Sequence, residues 1–179
     1  MVRKDFKPNR LLAALETAKN FIHEKFIVDP KDRIAILSFG ATIKKLCSFS
    51  YDEEQLVKSL EKIQVSGNGL LDDGLAFAIQ FLVGEMRKLG GKTSRIFIIS
   101  DNKLEYKEKI QKTIDIAKGL GIYIDACQLG KTQDYSQSIL KKIVRLTGGQ
   151  FGFFNNSKAL LNAGMSFASK KELKTSTDY

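Results

Sequence analysis

Apolar and polar residues follow two different periods along this chain. Within residues 9–26, Leu11, Leu15 and Ile22 recur at helical spacing, which predicts an amphipathic helix. Residues 95–100 instead contain four consecutive Ile and Phe side chains, which predict a buried strand. The same two patterns predict further strands at residues 33–39, 43–49, 121–129 and 150–154, and further helices at residues 50–63, 71–88, 105–118, 136–146 and 157–168.

Strands separated by helices of this length indicate a doubly wound α/β fold, with a mostly parallel sheet and helices on both faces. Residues 43–49 are the exception, because they follow Gly40 closely enough to form an antiparallel hairpin at a sheet edge. Ser50 and Glu53 have the spacing of a capping box, which predicts where the next helix begins.

The chain has 179 residues, enough for one domain with its own core. We expect that domain at residues 1–169 and a polar tail at residues 170–179. No apolar run approaches the roughly 20 residues needed to cross a bilayer. The first ten residues also lack the apolar stretch of a signal peptide. The sequence as printed therefore predicts a cytoplasmic protein without membrane contact.

Basic residues outnumber acidic ones, 29 to 20, and the formal net charge is +9. Such a surplus attracts nucleic acid or another acidic surface. The basic residues are mixed with acidic ones, however, and no nucleic-acid-binding motif or interleaved aromatic residues accompany them. Any nucleic-acid binding is therefore expected to be weak, with an affinity that falls steeply as salt is added.

The chain contains two cysteines and one histidine, too few Cys and His ligands for a four-ligand zinc site. Cys47 and Cys127 fall in apolar stretches, which predicts buried free thiols. His23 lies among charged residues on the first predicted helix, which favours a surface position. Because one histidine cannot complete a Cys/His or Ser/His/Asp set here, we expect no catalytic residues and no enzymatic activity.

In sheets of this class, ligands bind beyond the carboxyl ends of the strands. That rule selects the loops at residues 40–42, 66–73, 101–103 and 130–133. The Gly-Asn-Gly segment of the second loop is not a phosphate loop, since no strand directly precedes it and no Lys-Ser or Lys-Thr follows. The candidate partner-binding residues are Gly67, Asn68, Gly69, Asp72, Asp73, Asp101, Asn102 and Lys103.

Six segments occur in a specific order along the chain. Residues 5–11 contain Lys-Pro-Asn-Arg at the start of the first helix, and residues 33–40 end in Phe-Gly. Residues 67–78, 93–101, 120–129 and 146–152 follow, and the last of these contains Thr-Gly-Gly. Together they resemble the von Willebrand factor type A (VWA) domain family, in particular its members in the transcription and repair factor TFIIH and in the proteasome, where one is a ubiquitin receptor. The resemblance implies a Rossmann-like VWA fold.

The family carries a metal-ion-dependent adhesion site made of an Asp-x-Ser-x-Ser motif, a Thr and an Asp. The resemblance places Asp101 at the Asp position and Gly69 at the Thr position. Mg²⁺ needs several hard oxygen ligands, so we expect a degenerate site and no cofactor, with Mg²⁺ only if an upstream motif exists. A simpler role for Asp101 is to cap the next helix or to lie solvated. Asp72 and Asp73 similarly suit the first turn of a helix.

The resemblance also implies a central first strand, which would precede Met1. Without it, residues 33–39 and 95–100 lose a shared neighbour, and each buried unpaired backbone group costs ~1–3 kcal/mol. Either these two strands pair directly, or another segment fills the position, or the natural polypeptide begins upstream, which we favour. An open strand position could recruit a strand from another molecule, which predicts aggregation or dimerisation.

The leading functional hypothesis is a non-catalytic scaffold or interaction module that binds protein partners in a multi-subunit complex. The resemblance suggests complexes of transcription and DNA repair or of protein degradation. One alternative is a metal-dependent ligand-binding VWA domain, which an in-frame upstream Asp-x-Ser-x-Ser motif would reveal. The other alternative is a weak nucleic-acid binder that acts through its net charge.

Overall fold

The structure is a computed structural model that describes residues 1, 6–88, 93–101, 104–105, 109–130 and 138–169. The helices within those residues are α1 (Arg10–Val28), α2 (Glu53–Leu60), α3 (Leu71–Met86), α4 (Ile110–Gly119), α5 (Ile139–Thr147) and α6 (Ser157–Ser169). The strands are β1 (Ile34–Phe39), β2 (Ile43–Ser50), β3 (Gly69–Leu70), β4 (Arg95–Ser100), β5 (Leu104–Glu105), β6 (Tyr123–Leu129) and β7 (Phe151–Phe154). Helices and strands alternate as the sequence predicted. In the described part of the chain, no helix is both long and apolar enough to cross a membrane.

Strand pairing confirms a mixed α/β fold with a mostly parallel sheet. β6 lies between β4 and β7, and all three strands are parallel. β1 and β2 form the predicted antiparallel hairpin, which follows from the short turn after Phe39. β3 and β5 form a two-residue parallel pair.

Helices cover both faces of this sheet because alternate strand residues point in opposite directions. On one face, the Phe97 ring contacts Phe21 of α1 at 4.6 Å and Phe167 of α6 at 4.7 Å between ring centroids. On the other face, Ile98 lies in a buried cluster supplied by α3, α4 and α5. The continuous apolar run of β4 thus results from burial on both sides.

β1 and β4 run in the same direction, although they are not hydrogen-bonded to each other. Gly69, just before α3, lies against Phe39 at the end of β1 and against Leu104 shortly after β4. The opposite end of α3 is tied to the start of β1, since Glu85 forms an ion pair with Arg33. The carboxyl ends of β1 and β4 therefore meet the same loop.

A cavity of about 560 Å³ includes the space between β1 and β4, which we call the β1–β4 slot. β1 is paired only with β2 and β4 only with β6, among the described strands. Direct pairing of the two strands is therefore wrong, and none of the described segments fills the position as a strand. An upstream start of the natural polypeptide stays a prediction.

Two predicted helix starts are wrong. Asp52, not Ser50, caps α2, and its Oδ1 accepts a hydrogen bond from Gln55 N at 3.0 Å. The Ser50 hydroxyl instead accepts a bond from Asp52 N in the preceding turn. The α4 helix begins at Ile110 rather than at residue 105, because Glu105 belongs to β5. The predicted tail at residues 170–179 lies outside the described residues.

Candidate functional site

Two of the loops predicted to bind a ligand lie together at the carboxyl end of β1. Ala41 N donates a hydrogen bond to Ser66 O at 2.9 Å, which joins residues 40–42 to residues 66–70. A Cβ at Gly40 would overlap the carbonyl oxygen of Ser66, so only glycine permits this approach. We call residues 40–42, 66–73 and 101 the carboxyl-end rim.

A side chain at Gly69 would crowd two neighbouring side chains. A Cβ at this position would lie 2.9 Å from Leu104 Cδ2 and 3.2 Å from the Phe39 ring. Both neighbours are partly buried side chains that pack against the core. A side chain at residue 69, where the resemblance places the family's Thr, would therefore require the Leu104 and Phe39 side chains to shift.

Asp101, which directly follows β4, is buried with 7% of its surface exposed. Its Oδ2 is bonded to the Met1 amine and lies 3.6 Å from Nη1 of Arg10, which is itself 1% exposed. The prediction that Asp101 is solvated or caps the next helix is wrong. A buried guanidinium requires an opposite charge, and α4 begins only at Ile110, without a side-chain cap.

Sequence reasoning missed Arg10, although its spacing contained a usable signal. Arg10 is followed at three, four and seven positions by Ala13, Ala14 and Thr17. All four residues are buried on one side of α1. An arginine on the buried, apolar face of a helix implies an acidic partner that is also buried. The partner itself, Asp101, could not be identified without the tertiary structure.

The described rim residues do not fit the Mg²⁺ ion that the fold family implies. The Asp101 carboxylate already faces the buried Arg10 guanidinium, and residue 69 supplies no side-chain oxygen. Within the described ranges, no three His, Cys, Asp or Glu side chains lie close enough together to hold a metal ion. An octahedral oxygen site would require several more ligands.

The remaining candidate residues lie at different depths of the rim. Asp72 and Asp73 are in the first turn of α3, as the alternative interpretation predicted, with Asp73 exposed and Asp72 half-buried. Gly67 adopts a positive φ of 52°, and Asn68 is exposed. The candidates Asn102 and Lys103, and residues 131–133 of the fourth loop, lie outside the described residues.

A second, partly buried ion pair lies in the parallel sheet. Arg95 donates to Asp125 through Nε at 2.7 Å and through Nη2 at 2.6 Å. Asp125 also accepts a bond from Gln150 N at 2.7 Å, and a Cβ at Gly149 would overlap the backbone of β6. The pair joins β4, β6 and the turn into β7, so its role is structural.

The cysteines and the histidine are placed as predicted. Cys47 and Cys127 are buried free thiols. Burial raises the pKa of the Cys127 thiol well above its ordinary value, which disfavours the reactive thiolate. His23 has a side chain that is 64% exposed, and its Nδ1 lies 3.0 Å from Glu53 Oε1.

A profile of the von Willebrand factor type A domain matches residues 1–103, more than half of the chain. This chain belongs to the VWA family. The recognition made from the ordered segments is thus confirmed, and with it the Rossmann-like fold.

Solved structures share the fold of this VWA domain. The SpRpn10 VWA domain has a TM-score of 0.72 at 18% identity, with 91% of this chain and 88% of that chain covered. The conserved hypothetical protein BatB from Bacteroides thetaiotaomicron has a TM-score of 0.74 at 17% identity, with 96% and 92% covered. The TFIIH p34 N-terminal domain has a TM-score of 0.64 at 17% identity, with 85% and 84% covered.

Among curated proteins, a UPF0353 protein of Mycolicibacterium gilvum is 24% identical over 172 residues. The match covers 82% of this chain and 49% of that protein. The chain therefore spans about half the length of the curated relatives it matches.

Proposed function

We propose that this VWA domain is a non-catalytic protein-interaction module that binds partners in a multi-subunit complex without a bridging metal ion. The observation that carries the proposal is the pairing of buried Asp101 with buried Arg10 at the rim. The absence of a side-chain oxygen at Gly69, where Leu104 and Phe39 would crowd a side chain, supports the same conclusion. A rim built in this way holds a partner through direct polar and apolar contacts.

The proposed partner surface is the carboxyl-end rim together with the adjoining residues Asn102 and Lys103. Asn68 and Asp73 supply exposed polar side chains of the described part. The backbone of the rim is shaped by Gly67 and Gly69. Its charge also comes from Asp72 and Asp101.

The fold neighbours suggest which complexes to examine. SpRpn10 and TFIIH p34 have VWA-like folds similar to this one, and the sequence resemblance implied complexes of protein degradation and of transcription and repair. We propose one of these two classes of complex for this domain. The cytoplasmic location expected from the sequence stays a prediction.

The test is affinity capture of the tagged full chain, expressed at its natural level in its own organism, followed by mass spectrometry. The rim variant combines Asn68→Lys with Asp73→Lys, which changes the charge of the exposed rim without altering the core. The control variant is Glu54→Lys on α2, where the native side chain is 78% exposed.

We expect stable partners to co-purify with the wild type and with Glu54→Lys, and to be lost from the rim variant. Recovery of the wild-type chain alone would refute the interaction function. Retention of the same partners by the rim variant would show that they bind elsewhere on the domain.

A further inference from the structure

One side of α3 is exposed although it carries no charge over three turns. Residues 74–84 of this helix contain a single polar side chain, that of Gln80. The inner side of the helix packs on the core, and the exposed positions in this stretch are Ala76, Phe77, Gln80 and Gly84. Helices that are apolar on all sides are normally covered on all sides. The exposed side of α3 therefore has the composition of an interface.

A charged residue lies at each end of this uncharged stretch. Asp73 is in the first turn of α3 and Arg87 is its C-cap, and both are exposed. Lys88 Nζ lies 3.5 Å from Glu85 Oε2, whereas neither Asp73 nor Arg87 forms an ion pair within the described part of the chain. We define the α3 outer face by its exposed residues, which are Asp73, Ala76, Phe77, Gln80, Gly84 and Arg87.

The α3 outer face is separate from the β1–β4 slot. The helix presents Leu75, Ala78 and Leu82 to the slot, and none of the residues of the outer face lines it. A strand that filled the slot would therefore leave the outer face exposed.

The spacing of residues on the α3 outer face is symmetric about Gln80. Asp73 and Arg87 each lie seven positions from Gln80. Ala76 and Gly84 each lie four positions from it. These separations are close to one and two helical turns, so the five residues share one side of the helix. Reversing the helix about Gln80 exchanges the acidic end with the basic end and one small residue with the other.

A second copy of the chain in antiparallel orientation complements this face. A two-fold axis at Gln80 places Asp73 opposite Arg87 of the partner subunit, and the same contact occurs twice. Phe77 then lies next to Gly84 of the partner subunit. A Cβ at Gly84 would meet nothing within 4 Å, so there is room for the Phe77 ring. The two Gln80 amides meet at the axis, where each can donate and accept a hydrogen bond.

We propose that the chain forms an antiparallel two-fold dimer through the α3 outer face, with Gln80 at the axis. Binding a different protein would not require this symmetry, whereas a two-fold dimer requires a face that is complementary to itself. One pair of helices buries less than the ~1,200–2,000 Å² of a standard interface, so the dimer is weak and depends on concentration. The inference goes beyond the proposed function, because the partner is this chain itself.

The first test changes the residue at the axis. Sedimentation equilibrium of the full chain from about 1 µM to about 1 mM measures the dimer dissociation constant. Gln80→Glu keeps the size and the helix propensity of the side chain but places two like charges together. We expect it to weaken the dimer about ten-fold or more. The control is Gln55→Glu, the same change at an exposed position of α2, which should leave the constant within about two-fold.

The second test exchanges the charges at the two ends. Asp73→Arg alone and Arg87→Asp alone each place like charges opposite each other, so each should weaken the dimer about ten-fold. The double variant restores opposite charges and should dimerise within about three-fold of the wild type. Both exchanged charges are unfavourable for the helix dipole. A purely structural role would therefore make the double variant the least stable protein and would give no recovery of the dimer.

A wild-type dimer that is weakened by the three single variants and recovered in the double variant would support the proposal. A wild type that stays monomeric at the highest concentration would overturn it, and this result is expected if other segments of a longer polypeptide cover the outer face. A dimer that none of the α3 variants changes would also overturn it, since the contact would then lie elsewhere, for example at the open edges of β1 and β4. Circular dichroism checks the folding of each variant. If a charge variant does not fold, Gln80→Glu decides.

Discussion

The Arg10 guanidinium and the Asp101 carboxylate face each other inside the domain, with Nη1 and Oδ2 3.6 Å apart. The first belongs to the opening turn of α1 and the second directly follows β4. Their pairing neutralises the carboxylate that the family would use for a metal ion. It also ties α1 to the strand edge beside the β1–β4 slot.

Removing this arginine should destabilise the domain strongly. Arg10→Met leaves a buried carboxylate without its guanidinium, and such losses cost about 3–5 kcal/mol. The control is Lys58→Met, because Lys58 and Glu54 form an exposed pair on α2 that is worth at most about 1 kcal/mol. Urea unfolding measures both free energies. Equal losses in the two variants would contradict a structural role for the buried pair.

Two helical glycines should respond to alanine with opposite signs. A Cβ at Gly164 would lie 2.5 Å from the carbonyl oxygen of Thr17, where α6 packs on α1, whereas a Cβ at Gly84 meets nothing within 4 Å. Gly164→Ala should cost about 1–3 kcal/mol by overpacking. Gly84→Ala, on the exposed side of α3, should add about 0.5–1 kcal/mol. Thermal unfolding measures the stability of both variants. A neutral effect of Gly164→Ala would contradict the close contact between α1 and α6.

Magnesium should leave the stability of this chain unchanged. A ligand at about 100 times its Kd adds about 2.7 kcal/mol to the free energy of unfolding. Binding is therefore tested by comparing the unfolding midpoint in millimolar Mg²⁺ with the midpoint in EDTA. Gly69→Thr should lower stability rather than create affinity, because its Cβ would press on Leu104 and Phe39. A rise of the midpoint with Mg²⁺ in either protein would show that the rim can hold the ion.

The buried thiols should make the domain less stable at alkaline pH. Burial raises the pKa of Cys127 in the folded state above its ordinary value of 9.0, so the unfolded chain loses this proton first. The corresponding stability is complete below that ordinary value and is lost as pH rises through it towards the folded value. We expect the unfolding free energy to fall as the pH rises above the ordinary thiol value of 9.0, and to fall less in Cys127→Ala.

Cys47 is the internal comparison for this pH effect. Burial also raises the pKa of Cys47, while Lys62 lowers it and Asp52 raises it. Cys47→Ala should therefore remove a smaller part of the alkaline loss than Cys127→Ala. The same pH dependence in the wild type and in both variants would assign the loss to other groups.

Local patterns were sufficient to predict most elements. β4 was predicted with the bounds that it has in the structure, because burial on both faces leaves a continuous apolar run between polar ends. The hairpin of β1 and β2 followed from the short turn after Gly40. The helix start at residue 105 failed because Leu104 and Glu105 pair with β3, a contact that no local pattern encodes.

The candidate site was predicted less completely. Family resemblance identified Gly69 and Asp101 as the positions of a weakened metal site, but it gave no physical reason why these positions do not suit a metal ion. The reasons are the packing of Leu104 and Phe39 against Gly69 and the charge of Arg10 beside Asp101. Both involve residues that are distant in the sequence.

By itself, the sequence determined the alternation of helices and strands, the parallel α/β class and the burial of the two thiols. These properties follow from side-chain periods that act within one turn or one strand. Only the tertiary structure decided that β1 and β4 do not pair with each other and that Asp101 is paired with Arg10. Backbone pairing across a sheet and charge pairing in a core depend on which distant segments meet, and apolar periodicity carries no information about that choice.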